Sequence, residues 1–260
     1  MRGTARSDDG TSIAYEVQGD ASPALVFVHG WSCDRGYWKH QLPLAERHRV
    51  VTIDLAGHGD SGLDRTDYTI PAFGRDVTAV VDQLGLEQMV LVGHSMGGDV
   101  NVEAGLGLGL RVVGQVWVDV YFHLEAPQKE SDLEEFLAPF QTDFRASVRN
   151  LVGTMFRPGS DPELAGWIVD DMSSAPPKVA MSEAAHSLSN MAPLLEHMPQ
   201  LTAPIAAINF EWRPTDVDSL ARRGIRTTLM PGLGHFGMME GPDRFNQQLE
   251  ETVESFAVRA

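Results

Sequence analysis

Residues 89–98, Met-Val-Leu-Val-Gly-His-Ser-Met-Gly-Gly, constrain what this chain can fold into more than any other stretch. The apolar run Met89–Val92 stops at a Gly-x-Ser-x-Gly pentapeptide and passes directly into helix-like sequence. A strand that turns into a helix this tightly puts the residue at the apex, Ser95, into a strained backbone conformation. Gly93 and Gly97, two residues to either side, keep side chains out of the space where strand and helix nearly touch. The Ser95 hydroxyl is thereby lifted into open space at the carboxyl edge of a sheet. The start of the next helix aims backbone N–H groups at any anion that forms there.

The rest of the chain supplies a sheet for this turn to belong to. Thr4–Ser7 and Ser12–Val17 flank Asp8-Asp9-Gly10 and read as an entry hairpin. Leu25–Val28 and Val50–Ile53 are continuous, largely β-branched apolar runs, suited to strands of a parallel sheet buried on both faces. Ile70, Phe73, Val77, Val80, Val81 and Leu84 recur at helical spacing, with Thr69 as a cap, Pro71 in the first turn and Gly85 past the end. Val112–Val118, Ile205–Ile208 and Arg226–Met230 are further strands, and a last helix from Pro242 buries Phe245, Leu249, Val253 and Phe256. Strands alternating with helices predict an α/β fold with a mostly parallel, eight-stranded sheet flanked by helices.

That alternation breaks over residues 121–200, where helical patterns run without a convincing strand. Ser131 with Glu134 forms a capping-box pattern leading into Leu133, Phe136, Leu137, Phe140 and Phe144. Asp161-Pro162-Glu163 opens a second helix carrying Leu164, Trp167, Ile168 and Met172, and Pro176-Pro177 precedes a third. The expected organisation is a core of residues 1–120 and 201–260 with a helical cap, 121–200, inserted above the carboxyl edge of the sheet and over Ser95.

A formal net charge of −16 argues against nucleic acid or an anionic membrane as a partner. The single cysteine, Cys33, permits no internal disulfide and fits a reducing compartment. The N-terminal segment has no apolar stretch of the signal-peptide kind, and no run reaches transmembrane length. The expectation is a cytoplasmic monomer or homodimer acting on a small-molecule substrate. Gly105-Leu106-Gly107-Leu108-Gly109 lies in or just after the helix that follows Ser95, not between a strand and a helix, so it is not read as a dinucleotide loop. No His, Asp or Cys cluster has metal-ligand spacing, so neither metal nor cofactor is expected.

Taken in order, these landmarks resemble the α/β-hydrolase fold family over essentially the whole chain. The resemblance is carried by His29-Gly30-Trp31 after Leu25–Val28 and by Asp54-Leu55-Ala56-Gly57-His58-Gly59-Asp60-Ser61-Gly62 after Val50–Ile53. Gly93-His94-Ser95-Met96-Gly97-Gly98 is the third match, and Gly232-Leu233-Gly234-His235-Phe236 followed by Glu240-Gly241-Pro242 resembles the family's histidine loop and last helix. The resemblance implies Ser95 as nucleophile, which needs an adjacent base. Of nine histidines, His235 stands where the family's chain order puts that base. His94 is expected to point beneath the sheet, and His29 and His58 to orient the pocket. Backbone N–H groups of Trp31 and Met96 are the expected oxyanion donors. The Trp31 side chain, His29, Phe144 and Trp167 are the expected substrate contacts.

The acid departs from the pattern. The family usually places it shortly after the strand Ile205–Ile208, where this chain reads Asn209-Phe210-Glu211-Trp212-Arg213-Pro214-Thr215-Asp216, with Arg213 at the expected position. A minority of the family carries the acid one strand earlier, which here is Asp119. Asp119, Glu211 and Asp216 all stay open. Cys33 has no positive partner in the sequence and is read as inert.

The implied activity is serine-dependent acyl transfer on a carboxylic ester or lactone. The insertion carries Phe136, Phe140, Phe144, Met155, Phe156, Trp167, Met172 and Met181, which suggest a moderately apolar pocket. Haloalkane dehalogenases and epoxide hydrolases are excluded because they use an aspartate where this chain has Ser95. Carbon–carbon bond hydrolases, cofactor-free perhydrolases and a non-catalytic ligand receptor on the same fold remain alternatives.

Overall fold

In the computed structural model, residues 1–121, 124 and 130–257 are described. Eight strands, β1 (Arg2–Arg6), β2 (Ser12–Gln18), β3 (Ala24–Val28), β4 (Val50–Ile53), β5 (Met89–His94), β6 (Val112–Val118), β7 (Ile205–Phe210) and β8 (Arg226–Met230), form one sheet in the order β1-β2-β4-β3-β5-β6-β7-β8. β1 pairs with β2 and β2 with β4 antiparallel, and every pairing from β4 through β8 is parallel. The entry hairpin is thus real, with β1 starting and ending earlier than the sequence pattern suggests.

The central strands are buried on both sides, as side chains of period two require. Leu25 and Phe27 of β3 join one core cluster with Trp38, Phe245 and Leu249. Val26 and Val28 join the opposite cluster with Phe73, Val77 and Val100. The second face is covered by α1 (Ile70–Gln83) and α2 (Met96–Leu108). Thr69 caps α1 by accepting from the Ala72 N–H at 3.3 Å, and Gly85 past its end has a φ of 59°. Gly105 and Gly107 lie inside α2.

Between β6 and β7 five α-helices are described: α3 (Glu130–Thr142), α4 (Phe144–Gly153), α5 (Pro162–Met172), α6 (Pro177–Leu188) and α7 (Met191–His197). One of these boundaries differs from expectation, and the capping side chain expected at Ser131 lies outside the described residues. Phe144 does not continue α3, because the Asp143 carboxylate accepts from the Ala146 N–H at 3.0 Å and opens α4. An N-cap of this type commits its own residue to extended backbone and ends whatever precedes it.

The insertion is tied to the core by buried polar contacts. The Trp31 indole N–H donates to the Ala180 carbonyl at 2.7 Å, and the Ser32 N–H donates to Glu183 at 3.0 Å. Glu183 lies 3.0 Å from the His58 ring, where burial disfavours the imidazolium but the carboxylate outweighs it and the net shift is upward. The chain closes with α8 (Val217–Arg222), α9 (Gly237–Glu240) and α10 (Pro242–Ala257). Among the described residues, no helix is long and apolar enough to cross a membrane.

The close approach of β5 and α2 yields a direct test. A Cβ at Gly93 would run into the Gly97 carbonyl, and one at Gly97 into the Val28 carbonyl. Both obstacles are backbone and cannot swing aside. Gly93→Ala is expected to cost about 1–3 kcal/mol, the usual scale of overpacking, read as a lowered Tm or urea midpoint. An unchanged midpoint contradicts this account of the turn.

Candidate active site

Ser95 sits between β5 and α2 with φ 53° and ψ −122°, a left-handed conformation that L-residues rarely adopt. Its N–H donates to the Val118 carbonyl at 3.0 Å, carrying the β5–β6 ladder one step beyond the last paired residues, His94 and Val118. Asp119 follows immediately, also at φ 53°, and its own N–H donates to Ile208 of β7 at 2.9 Å. Two strained residues therefore stand side by side at the carboxyl ends of adjacent parallel strands. Strain of this kind persists only where its surroundings enforce it. Here the ladder on both sides does so.

His235 reaches the same place from the loop after β8. Its N–H donates to the Met155 carbonyl at 2.8 Å, and its carbonyl accepts from His94 Nε2 at 2.9 Å. With its backbone held at both ends, His235 places Nδ1 2.6 Å from Asp119 Oδ2. The other oxygen of Asp119 accepts from the Phe210 N–H at 2.7 Å. An Nδ1–H donated to the carboxylate leaves Nε2 without a proton, which is the form a base requires. Burial pushes the Asp119 carboxyl up to about 7 against the pull of the Phe210 N–H and of nearby positive charge. Burial likewise pushes the His235 imidazole down to about 3, and the Arg213 guanidinium acts in the same direction. Both shifts disfavour charge in a largely dry site, so the imidazole rests neutral.

Ser95, Asp119 and His235 open into one cavity of about 600 Å³. Trp31, Met96, Asp99, Val120 and Tyr121 line it from the core, and Phe136, Leu151, Met155, Leu188 and Met191 from the insertion. Met96 opens α2, so its N–H has no acceptor within the helix. Among the described residues, no group of three or more His, Cys, Asp or Glu side chains is placed to hold a metal ion.

Of the three carboxylates left open by the sequence, Asp119 is the one on His235. Glu211 accepts from the Gly232 N–H at 2.9 Å on an exposed turn, and Asp216 caps α8 by accepting from the Ser219 N–H at 2.9 Å. Three expected substrate contacts do not line the cavity. His29 is fully buried, with Nε2 accepting from the Leu55 N–H at 3.1 Å and Nδ1 facing the Gly30 carbonyl at 2.9 Å. Phe144 is half-buried against Phe140. Trp167 is 42% exposed and packs outward on Tyr37, with the Lys39 ammonium 4.9 Å above its ring. Phe140, Phe156, Met172 and Met181 also miss the cavity and pack the insertion against the core. His94 packs beside the His235 ring, with centroids 4.6 Å apart. Cys33 is buried, and that burial raises its thiol well above the ordinary range.

The structure adds residues that sequence reasoning assigned no role. The Trp212 ring lies 4.4 Å from that of His235 and is fixed by an indole N–H donated to Thr154 at 2.9 Å. Asp99, one turn into α2, is buried in the cavity wall with the Tyr121 hydroxyl, the Ser187 hydroxyl at 3.0 Å and the Asn190 amide at 2.7 Å as donors. Burial lifts its carboxyl to about 6 against these hydrogen bonds. The only sequence signal for Asp99 was its position four residues after Ser95. Of its partners, Tyr121 lies just past β6, and Ser187 and Asn190 come from 88 and 91 residues away.

Residues 25–248 match the model of the alpha/beta hydrolase family. Among curated proteins, the chain is similar to a non-heme chloroperoxidase of Streptomyces lividans, 37% identical over 100 residues, covering 37% of this chain and 36% of that protein. It spans about a third of the length of the first curated relatives it matches, at 28%, 38% and 36%. Among solved structures, a thermophilic esterase from Thermogutta terrifontis shares the fold at a TM-score of 0.84 and 22% identity, over 98% of this chain and 99% of that one. Est816, described as an N-acyl homoserine lactone degrading enzyme, aligns at a TM-score of 0.81 and 26% identity, over 96% and 99% of the two chains.

The placement of His29 predicts a stability phenotype. Replacing His29 with Ala removes the acceptor of a buried N–H and opens a void, with an expected loss of about 1–3 kcal/mol in urea unfolding. A His29→Ala protein with wild-type stability would contradict the assignment of that ring to the scaffold.

Proposed function

The chain belongs to the alpha/beta hydrolase family, and from its site we propose that it is a serine hydrolase cleaving a small to medium, moderately apolar carboxylic ester or lactone through an acyl-enzyme. The observation that carries this reading is the 2.6 Å contact between His235 Nδ1 and Asp119 in the cavity into which strained Ser95 opens. Asp119 holds the imidazole in one tautomer and stabilises the imidazolium that forms during attack. Ser95 Oγ bonds to the substrate carbonyl carbon while its proton passes to His235 Nε2. The N–H groups of Trp31 and Met96 receive the oxyanion. The carbon–oxygen bond to the alcohol then breaks, and His235 returns the proton to the leaving oxygen. Water repeats the sequence on the acyl-enzyme and releases the acid.

The inserted helices act as the cap in this reading. Phe136, Leu151, Met155, Leu188 and Met191 supply an apolar wall that excludes water from the charged intermediate. This lining favours an apolar acyl or alcohol part.

A fluorophosphonate probe tests the nucleophile. It is expected to label folded wild-type protein and not Ser95→Ala, and absence of labelling on folded wild-type protein ends the proposal. Asp119→Asn is expected to lower kcat on p-nitrophenyl esters by about 10⁴, the scale seen when such an acid is neutralised, while Glu211→Gln and Asp216→Asn stay near wild type. Near-full activity in Asp119→Asn assigns the acid elsewhere.

The pH dependence follows from the imidazole. Burial and Arg213 both hold His235 below 6.5, so the neutral, basic form persists into acid. The acidic limb of kcat/KM for a neutral ester is expected below pH 6.5 and is expected to move upward in Arg213→Gln. A limb at or above 6.5 in wild type contradicts this electrostatic account.

A further inference from the structure

Arg213 is the one cationic side chain among the described residues lining the cavity. Its guanidinium lies over the Trp212 ring, 4.2 Å from Cζ to the centroid, and that ring lies 4.4 Å from His235. Arg2, Arg35, Arg47, Arg65, Arg75, Arg111, Arg149 and Arg157 each make an ion pair with a carboxylate. Arg213 makes none among the described residues, although the chain carries 36 acidic residues against 20 basic ones. Stacking on an indole orients a guanidinium while leaving its in-plane N–H donors free, the geometry suited to a carboxylate.

The position of Arg213 relative to the chemistry decides which part of a substrate would meet it. In the proposed reaction His235 must hand its proton to the leaving oxygen, so the alcohol part has to lie along the wall formed by His235, Trp212 and Arg213. We propose that Arg213 makes this site selective for esters whose alcohol part carries an anionic group, a carboxylate in the first instance, which the guanidinium binds at the cavity wall. This inference rests on the hydrolase reading above and names the substrate class for the same site.

The Arg213 guanidinium, attracted by Asp119 but in ion-pair contact with no described carboxylate, opposes formation of the imidazolium on His235, which costs the reaction a part of its driving force. An anion bound to Arg213 cancels that field at the moment the proton must move. An anionic substrate therefore gains in kcat as well as in KM. A neutral ester of the same shape gains neither.

The test compares 4-acetoxybenzoate with the isosteric, neutral 4-acetoxybenzamide at pH 8, on wild type and on Arg213→Gln, Arg213→Lys and Arg213→Glu. The ratio of kcat/KM for the anion to that for the amide removes any general effect of a variant on the base. It is expected to fall roughly 10-fold in Arg213→Gln, as for one charge-assisted contact at a partly solvated site, and further in Arg213→Glu. Arg213→Lys is expected to retain part of it. A ratio that stays within about two-fold of wild type in all three variants, with both esters turned over, overturns the inference and leaves the hydrolase reading intact. Loss of turnover on both esters in wild type, with no fluorophosphonate labelling, defeats the hydrolase reading instead. Binding then judges Arg213 by itself. Trp212 fluorescence is expected to report tighter binding of 4-hydroxybenzoate than of 4-hydroxybenzamide in wild type and no such preference in Arg213→Gln, and equal preference in both proteins overturns the inference.

Discussion

The parallel register of β5, β6 and β7 is the constraint on which the site depends. His94 lies opposite Val118, and Val118 opposite Ile208, so these strands reach the carboxyl edge of the sheet together. Parallel hydrogen bonds are evenly spaced and slanted, and each strand end can hold the next residue of its neighbour. Ser95 donates to Val118, Asp119 donates to Ile208, and the Phe210 N–H returns to the Asp119 carboxylate. The left-handed conformations of Ser95 and Asp119 are thus enforced by a ladder that would have to break for either to relax. A one-residue slip would turn both side chains to the other face.

The inserted helices share the same dependence in reverse. They contribute about half of the apolar wall, yet their placement is set by polar clasps to the core: Trp31 to Ala180, Ser32 and His58 to Glu183, and the Tyr37 hydroxyl to Asp171 at 2.7 Å. Met155 takes part twice, lining the cavity with its side chain and accepting from the His235 N–H with its carbonyl. The proposed base is therefore positioned partly by the insertion. Movement of α4 relative to the sheet would carry both the pocket wall and the imidazole.

Local patterns in the chain announce some of this and hide the rest. The eight strands, α1 with its Thr69 cap, α5 after Asp161 and α10 are all visible as periodicity and cap chemistry, because each is decided by interactions within a few residues. The break at Asp143 is hidden in the sequence because Phe136, Phe140 and Phe144 keep helical spacing across it. Apolar spacing says which residues share a face, and it carries no information about whether the backbone between them is continuous. The same limit explains Phe144 and Trp167. Both are large and apolar on a segment above the sheet, but the direction each faces depends on how α4 and α5 pack: Phe144 turns onto Phe140 and Trp167 is left partly exposed.

The fold, the strained serine and the histidine near the far end of the chain are all legible in the amino-acid sequence. Those features are written in glycines, apolar runs and chain order that act locally. Which carboxylate meets His235 is a matter of tertiary placement: Asp119 is favoured in the sequence with Glu211 and Asp216 still open, and the three differ in where strand ends and turns put them. Tertiary placement also turns Arg213, standing at the position where an acid is expected, toward the cavity, with no ion pair among the described residues. Charge and hydrogen bonding act through space, and residues 119, 213 and 235 become neighbours only when β6, β7 and the loop after β8 end at one edge of the sheet.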